Sequence, residues 1–427
     1  MKYLFLLLFF VASLWGESLP SLIAYAKKHS TISKQNQSML DLAALNQQNA
    51  KAQLFGELNV VGDYTHYNIE RTLAPLVPST IASGVPVTTS KDIYTAGLKY
   101  SVPLFTGFAQ TAQVEIEGIA KQMSQAKYRL SSEQLIYNIR SLYLTVLAQK
   151  EMLHAQQRYT RALQKLQKQI AYEVKLGKKA KIEALKASAD VAANQSKEAL
   201  FLANIATTKA TLTALVGKPI SSVSSLHIVV KKPRYSVERL YRKAQALAKV
   251  KVEALSVQKA QKMIDKSKAS SLPQVNFSGY VGKNYGQDVA TNEWNNEALW
   301  QVGVNVSYNL VDFGKRSIAT QKAKIAKMQA GFQKEQTLLD LKKLLTQGVA
   351  KVKQYYASYC ANKAQYGLAK EAQKIEQVRY NNSASTLNDL LLAQAKTWLA
   401  QAQMIESKYN YQKSKYTIAY LMEEGAK

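Results

Sequence analysis

The chain has 427 residues, room for two or three ordinary domains or for one long, thin molecule. Only 18 glycines and 8 prolines interrupt it, while Ala, Leu, Lys and Gln recur throughout, which favours long helices over a turn-rich compact enzyme. The net charge of +28 comes from 57 basic against 29 acidic residues; the lysines are spread thinly, without a basic aromatic cluster, which argues against nucleic-acid binding and leaves a solvated surface, anionic lipid or an anion-tolerant interior.

At the amino terminus Met1-Lys2 precedes an apolar run from Tyr3 to Ala12 that ends at Ser13-Leu14-Trp15-Gly16, the pattern of an export signal over residues 1–16. No cysteine stands near the cleavage point, so no lipid anchor is expected. The run is short for a membrane-spanning helix, and no later segment reaches the ~18 apolar residues one needs. Any membrane part is therefore expected to be built from strands.

Two segments then match at one offset. Gly97-Leu98-Lys99-Tyr100-Ser101-Val102-Pro103-Leu104-Phe105-Thr106-Gly107-Phe108 aligns with Gly303-Val304-Asn305-Val306-Ser307-Tyr308-Asn309-Leu310-Val311-Asp312-Phe313-Gly314, and 303 − 97 = 206. The same offset returns at Ala187 and Ala393 and at Leu215 and Leu421. A first repeat over 17–217 and a second over 236–427, joined by a linker at 218–235, follow from it. Helices are expected near 18–54, 108–175, 180–216, 236–270, 314–381 and 385–424. A helix of ~65 residues is ~100 Å long, so these must pack side by side, with Ala and Leu at three- and four-residue spacing in coiled-coil-like contact.

Strands are expected near 57–70, 93–105, 274–282 and 299–310. In the last, Trp300, Val302, Val304, Val306, Tyr308 and Leu310 alternate with Gln301, Gly303, Asn305, Ser307 and Asn309, and Tyr94 to Leu104 repeats the pattern. A soluble sandwich and a transmembrane barrel both produce such faces; the export signal favours the barrel. Four strands cannot close one, since about eight is the practical minimum, so the barrel must be shared between chains, and three chains supply 3 × 4 = 12 strands. The segments 71–92 and 282–298 are then the external loops.

Residues Pro103 to Phe108 and Asn309 to Gly314 resemble the strand-to-helix turn of the TolC-like outer-membrane efflux protein family. Gly177, Glu183 and Ala187, with Ser383, Asp389 and Ala393, are similar to its helix-tip signature, again 206 residues apart. The resemblance implies a mostly α fold with a transmembrane β part: a trimer with a 12-stranded barrel and a long helical periplasmic tunnel, whose inner end opens when a pump docks. It implies a constriction or gate at Asp389, Tyr380, Glu183 and Ser385, with a hydrogen bond between Tyr380 and Glu183. Asp389 reads either as a pore acid or as an ordinary acid at a helix start. Leu392 stands where a second acid is expected, and Ser385 where a basic latch residue is expected. The exposed tips, Gly177 and Lys178 with Ser383 and Ala384, are the adaptor-docking candidates.

The implied function is the outer-membrane channel of a tripartite export system, a passive conduit with no cofactor. Its partners would be two further copies, a periplasmic adaptor, an inner-membrane transporter and outer-membrane lipid. A type I protein-secretion conduit and a periplasmic helical scaffold without a pore are the alternatives. No metal site is expected from the single Cys360 or from His29, His66, His154 and His227, and no nucleophile or phosphate-loop motif points to an enzyme.

Overall fold

A computed structural model describes residues 16–84 and 86–425, so the export signal falls outside them except for Gly16. In chain order the elements are α1 (Leu19–His29), α2 (Thr31–Ala52), β1 (Glu57–Thr72), the short α3 (Pro78–Ala82), β2 (Thr89–Phe105), α4 (Ala109–Lys175), α5 (Lys181–Val216), α6 (Val237–Ala244), α7 (Ala248–Ala269), β3 (Gln274–Gln287), β4 (Trp294–Ser307), α8 (Lys315–Asn381) and α9 (Leu387–Leu421).

Two helices expected to be continuous are broken. Ser30 is extended between α1 and α2; its N–H donates to Ala26 O while its hydroxyl accepts from Ser33 N–H at 3.2 Å, so one residue ends a helix and starts the next. Between α6 and α7 the start of the second helix is capped from far away in sequence. The Glu423 carboxylate accepts the N–H groups of Ala248 and Lys249, each at 3.0 Å.

The 206-residue repeat is written into the backbone. Left-handed residues occur as pairs at Gly107 and Phe313, Phe108 and Gly314, Gly177 and Ser383, and Gly217 and Glu423, each pair 206 apart. Within each pair one member is glycine and the other bears a side chain, so the turn geometry is common to both repeats while its steric ease is not. Capping follows the same offset: Thr106 Oγ1 accepts from Gln110 N–H at 3.2 Å, and Asp312 Oδ2 accepts from Arg316 N–H at 2.9 Å. Both helix tips close with the same six-to-one bond, from Lys178 N–H to Glu173 O at 2.9 Å and from Ala384 N–H to Arg379 O at 2.8 Å.

The chain divides into two compact units. One comprises the residues up to Met39, Ala126–Lys251 and those from Glu335 onward. Its largest core gathers Leu22, Ile139, Tyr143, Leu144 and Leu212, and a second gathers Ala244, Leu341, Leu345, Val352 and Ile418. The Tyr143 hydroxyl reaches the carbonyls of Glu17 and Ser224, fastening an irregular segment to this core.

The other unit, Leu40–Gln125 with Val252–Lys334, contains an antiparallel sheet in the order β1-β2-β3-β4. Its register puts Leu58, Val60, Leu98, Val281, Trp300, Val302, Val304 and Val306 on one face, and all of them are exposed. A contiguous exposed apolar face of this size is rare on a protein that meets only water. Tyr64, Tyr94 and Trp294 form a chain of ring contacts at one end of that face, with centroids 4.8 and 5.5 Å apart. Asn59, Lys99, Tyr280 and Gln301 share a row on the opposite face.

β3 and β4 extend further than the side-chain alternation indicates. Pairing continues from Gly282↔Leu299 to Gln287↔Trp294, so the expected loop 282–298 shrinks to residues 288–293. Backbone pairing does not require apolar side chains, and Asp288 closes the shortened turn by accepting the N–H groups of Ala290 and Thr291 at 2.8 and 3.0 Å. At its other end β4 stops at Ser307, leaving Tyr308 to Leu310 outside the strand.

The expectation that no later segment is apolar enough to span a membrane as a helix is also corrected. An 18-residue window of α5 has mean hydropathy 1.4 with 17% of it buried. Leucine, isoleucine, phenylalanine, valine and alanine raise this average, while the threonines among them are mildly polar and break up any continuous run of large apolar residues.

Tyr280 lies across two glycines. A Cβ on Gly97 would stand 2.6 Å from Val281 O and 2.8 Å from Tyr280 Cε2, whereas a Cβ on Gly303 would meet nothing within 4 Å. Gly97→Ala is therefore expected to destabilise the sheet by about 1–3 kcal/mol through overpacking, with Gly303→Ala near neutral, as read from denaturant midpoints of the detergent-solubilised protein.

Candidate functional site

The two helix tips lie within the first unit, and a third small core beside them contains Leu166, Ile170, Ala187, Tyr380, Leu387 and Leu390, all buried. It brings the ends of α4, α5, α8 and α9 together through apolar side chains at helical spacing. On this platform sits a polar cluster.

Tyr380, 6% exposed, accepts a short hydrogen bond from Lys179 Nζ. The same ammonium lies 4.1 Å from the Tyr380 ring centroid, 3.4 Å from a Glu173 carboxylate oxygen and 3.5 Å from one of Glu183. The expected Tyr380–Glu183 hydrogen bond is not the contact made within the chain. Lys179 stands between them, because an ammonium has three donors to offer a phenol and two carboxylates, while a phenol has one. Burial taken alone would favour the neutral amine; the Tyr380 hydrogen bond, Glu183 and Glu173 outweigh it and hold the Lys179 ammonium above the usual lysine range.

Lys179 was not singled out by sequence reasoning, which chose its neighbour Lys178. One signal was present, the spacing of four residues between Lys179 and Glu183. The cluster's other half, Tyr380, is 201 residues away and only folding brings it close.

Ser385 is part-buried and its hydroxyl has no hydrogen-bond partner, so it forms no latch within the chain. Nearby, Arg379 pairs with Glu376 at 3.1 Å and donates to Ala384 O at 3.3 Å, bracing the second tip. Gly177, Lys178, Ser383 and Ala384 are all exposed.

Asp389 occupies the third position of a reciprocal cap: Thr386 Oγ1 accepts from Asp389 N–H at 3.2 Å, and Asp389 Oδ2 accepts from Thr386 N–H at 3.1 Å. The Thr386 hydroxyl and backbone bonds hold its carboxyl below the usual aspartate range. Asp389 is exposed, so capping does not remove its charge from solvent. Leu392, one turn on, is exposed and carries no charge.

The two titrations have opposite signs. Lys179's contribution is complete below the ordinary lysine value of 10.5 and is lost as pH rises through its raised folded value; Asp389's is present above 3.8 and is lost as pH falls through its lowered folded value. Thermal-melt midpoints should therefore fall more for the parent than for Lys179→Met above pH 10.5, and more for the parent than for Asp389→Asn below pH 3.8. Between those limits the parent–variant differences should be flat.

Residues 34–218 and 241–422 match the outer membrane efflux protein family. No functionally curated protein matches the chain by sequence. Among solved structures, the Campylobacter jejuni CmeC outer membrane channel superposes with a TM-score of 0.80 at 15% identity, covering 95% of this chain and 86% of that one. The Vibrio cholerae outer membrane protein VceC gives 0.78 at 18% identity, with 95% of each chain covered. The open state of the Neisseria gonorrhoeae MtrE outer membrane channel gives 0.77 at 16% identity, with 96% of this chain and 89% of that one covered. At such identities the superpositions speak for the fold.

Proposed function

The chain belongs to the outer membrane efflux protein family, and from that premise we propose that it is one third of a homotrimeric conduit, passive itself and completed by a periplasmic adaptor and an inner-membrane transporter. The observation that carries the trimer is the four-stranded sheet: its apolar face is exposed and its edge strands β1 and β4 have no partner within the described chain. In lipid, unpaired strand edges are prohibitively costly, so the sheet has to be continued by other copies. Three copies give 12 strands, enough for an aqueous lumen bounded outside by the apolar face.

The helices of the two repeats, 17–217 and 236–427 with 218–235 between them, form the periplasmic tunnel in this reading. The largely unburied apolar stretch of α5 supports it, since neighbouring helices in an assembly would cover such a surface. Exposed Gly177, Lys178, Ser383 and Ala384 are the residues we assign to adaptor docking. The conduit carries out no chemical step of its own.

The tip cluster is the gate in this proposal. Lys179, Tyr380, Glu173 and Glu183 hold the two helix tips of one chain together, and Lys179 supplies the cation that Ser385 does not. Opening requires that the buried Tyr380 either leave its core or lose its ammonium partner. Asp389 contributes negative charge at the same end while remaining a helix cap.

Native gels of outer-membrane extracts should show a heat-modifiable species of three chains, and the purified protein should conduct in planar bilayers; a soluble monomer without conductance would refute the conduit. Tyr380→Phe and Lys179→Met should each raise the conductance of the resting channel, about threefold or more if the tip limits flow, since each removes a charge-assisted hydrogen bond worth ~1.5–3 kcal/mol in closed-state preference.

A further inference from the structure

Within the helical unit a cavity of about 180 Å³ opens where α4 meets α8 and α9. Tyr159 of α4, Tyr366 of α8 and Trp398 of α9 line it, together with Gln394 one helical turn before Trp398. The rings of Tyr159 and Trp398 are nearly parallel, at 22°, with centroids 6.2 Å apart. Gln394 is only 5% exposed, yet its Oε1 has no hydrogen-bond partner, and neither has the buried Nε1–H of Trp398. A buried acceptor and a buried donor left open on one helix face are costly, and folded proteins seldom keep them so without something bound between them. Burial, and then the charge of Asp190, push the Tyr159 hydroxyl up to about 12, so it stays neutral beside them.

The equivalent place in the first repeat is built differently. At the offset of 206, Gln394 corresponds to Ser188 (394 − 206 = 188), Trp398 to Ala192 and Tyr366 to Thr160. There the polar groups satisfy one another: Gln167 Nε2 donates to Ser188 Oγ at 3.0 Å, and the Ser188 hydroxyl donates to Ala184 O at 2.8 Å. No aromatic side chain lines that surface. Two long helices therefore pack at this level with small, mutually bonded side chains, and packing alone does not call for the rings and open polar atoms of the second repeat.

We propose that this cavity is a binding site for a small aromatic acid with one ring and a hydroxyl group, the chemistry of a hydroxybenzoate. The size fits, since an apolar cavity of ~150 Å³ holds a benzene ring. Tyr159 and Trp398 offer ring faces and edges to a planar guest. A hydroxyl is donor and acceptor at once, so a single group serves both Gln394 Oε1 and Trp398 Nε1–H, four residues apart on α9. A carboxylate matches Arg158 and Lys370, which line the cavity, are exposed and belong to no ion pair among the described residues. No acid is among the lining residues. Water would satisfy the two polar atoms but leave the rings and both cations unused. The site lies within one chain, so it does not depend on how the barrel is completed.

The test is a ligand-detected NMR titration of the purified, full-length protein in detergent with 4-hydroxybenzoate, benzoate and phenol. The parent should bind 4-hydroxybenzoate saturably at about 1 mM or below, and benzoate and phenol about fivefold or more weakly, since each lacks one of the two polar groups. Trp398→Phe keeps a ring but removes the Nε1–H; it should weaken 4-hydroxybenzoate about fivefold and leave benzoate unchanged. No saturation of the parent by ~10 mM 4-hydroxybenzoate overturns the proposal, and leaves a cavity that holds water only. Equal affinity for 4-hydroxybenzoate and benzoate in the parent also overturns it, as does a Trp398→Phe protein that loses both alike. Should that variant not fold, the ranking of the three ligands on the parent decides.

Discussion

The antiparallel ladder between β2 and β3 is the interaction on which the sheet is organised. One strand comes from each repeat, and their pairing from Tyr94↔Tyr285 to Phe105↔Val275 fixes which side chains share a face across both. A slip of one residue would turn Val275, Phe277 and Val281 of β3 away from the face that carries Leu98, Tyr100 and Val102 of β2, and bring Asn276 and Asn284 into the apolar surface. Because the register holds, Leu98, Val281 and Trp300 fall in one row, and Lys99, Tyr280 and Gln301 in the next. Gly97 and Gly282 help to hold it, since Tyr280 occupies the space their side chains would need.

The helical unit relies on a different kind of constraint. Its long helices have no single large core; they pack through separate clusters around Tyr143, Leu345 and Leu390. Between those clusters, polar residues are buried and bonded locally, as where Gln156 Nε2 donates to Asn194 Oδ1 at 2.9 Å. Such contacts specify which helix faces meet. The tip cluster has the same character: one ammonium shared among Tyr380, Glu173 and Glu183 concentrates the tie in a single side chain. A mechanism that must open and close gains from a contact that few groups control.

The repeat explains both the symmetry and its exceptions. Gly177 and Ser383 adopt the same left-handed turn, yet the first does so freely while the second bears a side chain there, at φ 59. Gly217 and Glu423 likewise share a backbone conformation, but the glutamate adds a carboxylate that caps α7, and the glycine cannot do this for α2, which starts from Ser30 instead. Equivalent positions have kept their geometry while diverging in chemistry.

Much was legible in the residues. The offset of 206, the long helices and the alternation in Trp300 to Val306 depend on local period and self-similarity, which sequence carries directly. The family follows from the same turn and tip motifs. What escaped depended on partners distant in sequence. The breaks at Ser30 and before Ala248 are set by caps, one of them from Glu423; β3 and β4 run on past their apolar residues because backbone pairing is indifferent to side-chain polarity. Lys179 meets Tyr380 only when two helix tips converge, and Tyr159 meets Trp398 only when α4 packs on α9. Sequence determined the repeating elements and their amphipathic faces, since those arise from the chain's own periodicity; tertiary structure decided which side chains stand together, since that is a matter of distance in space.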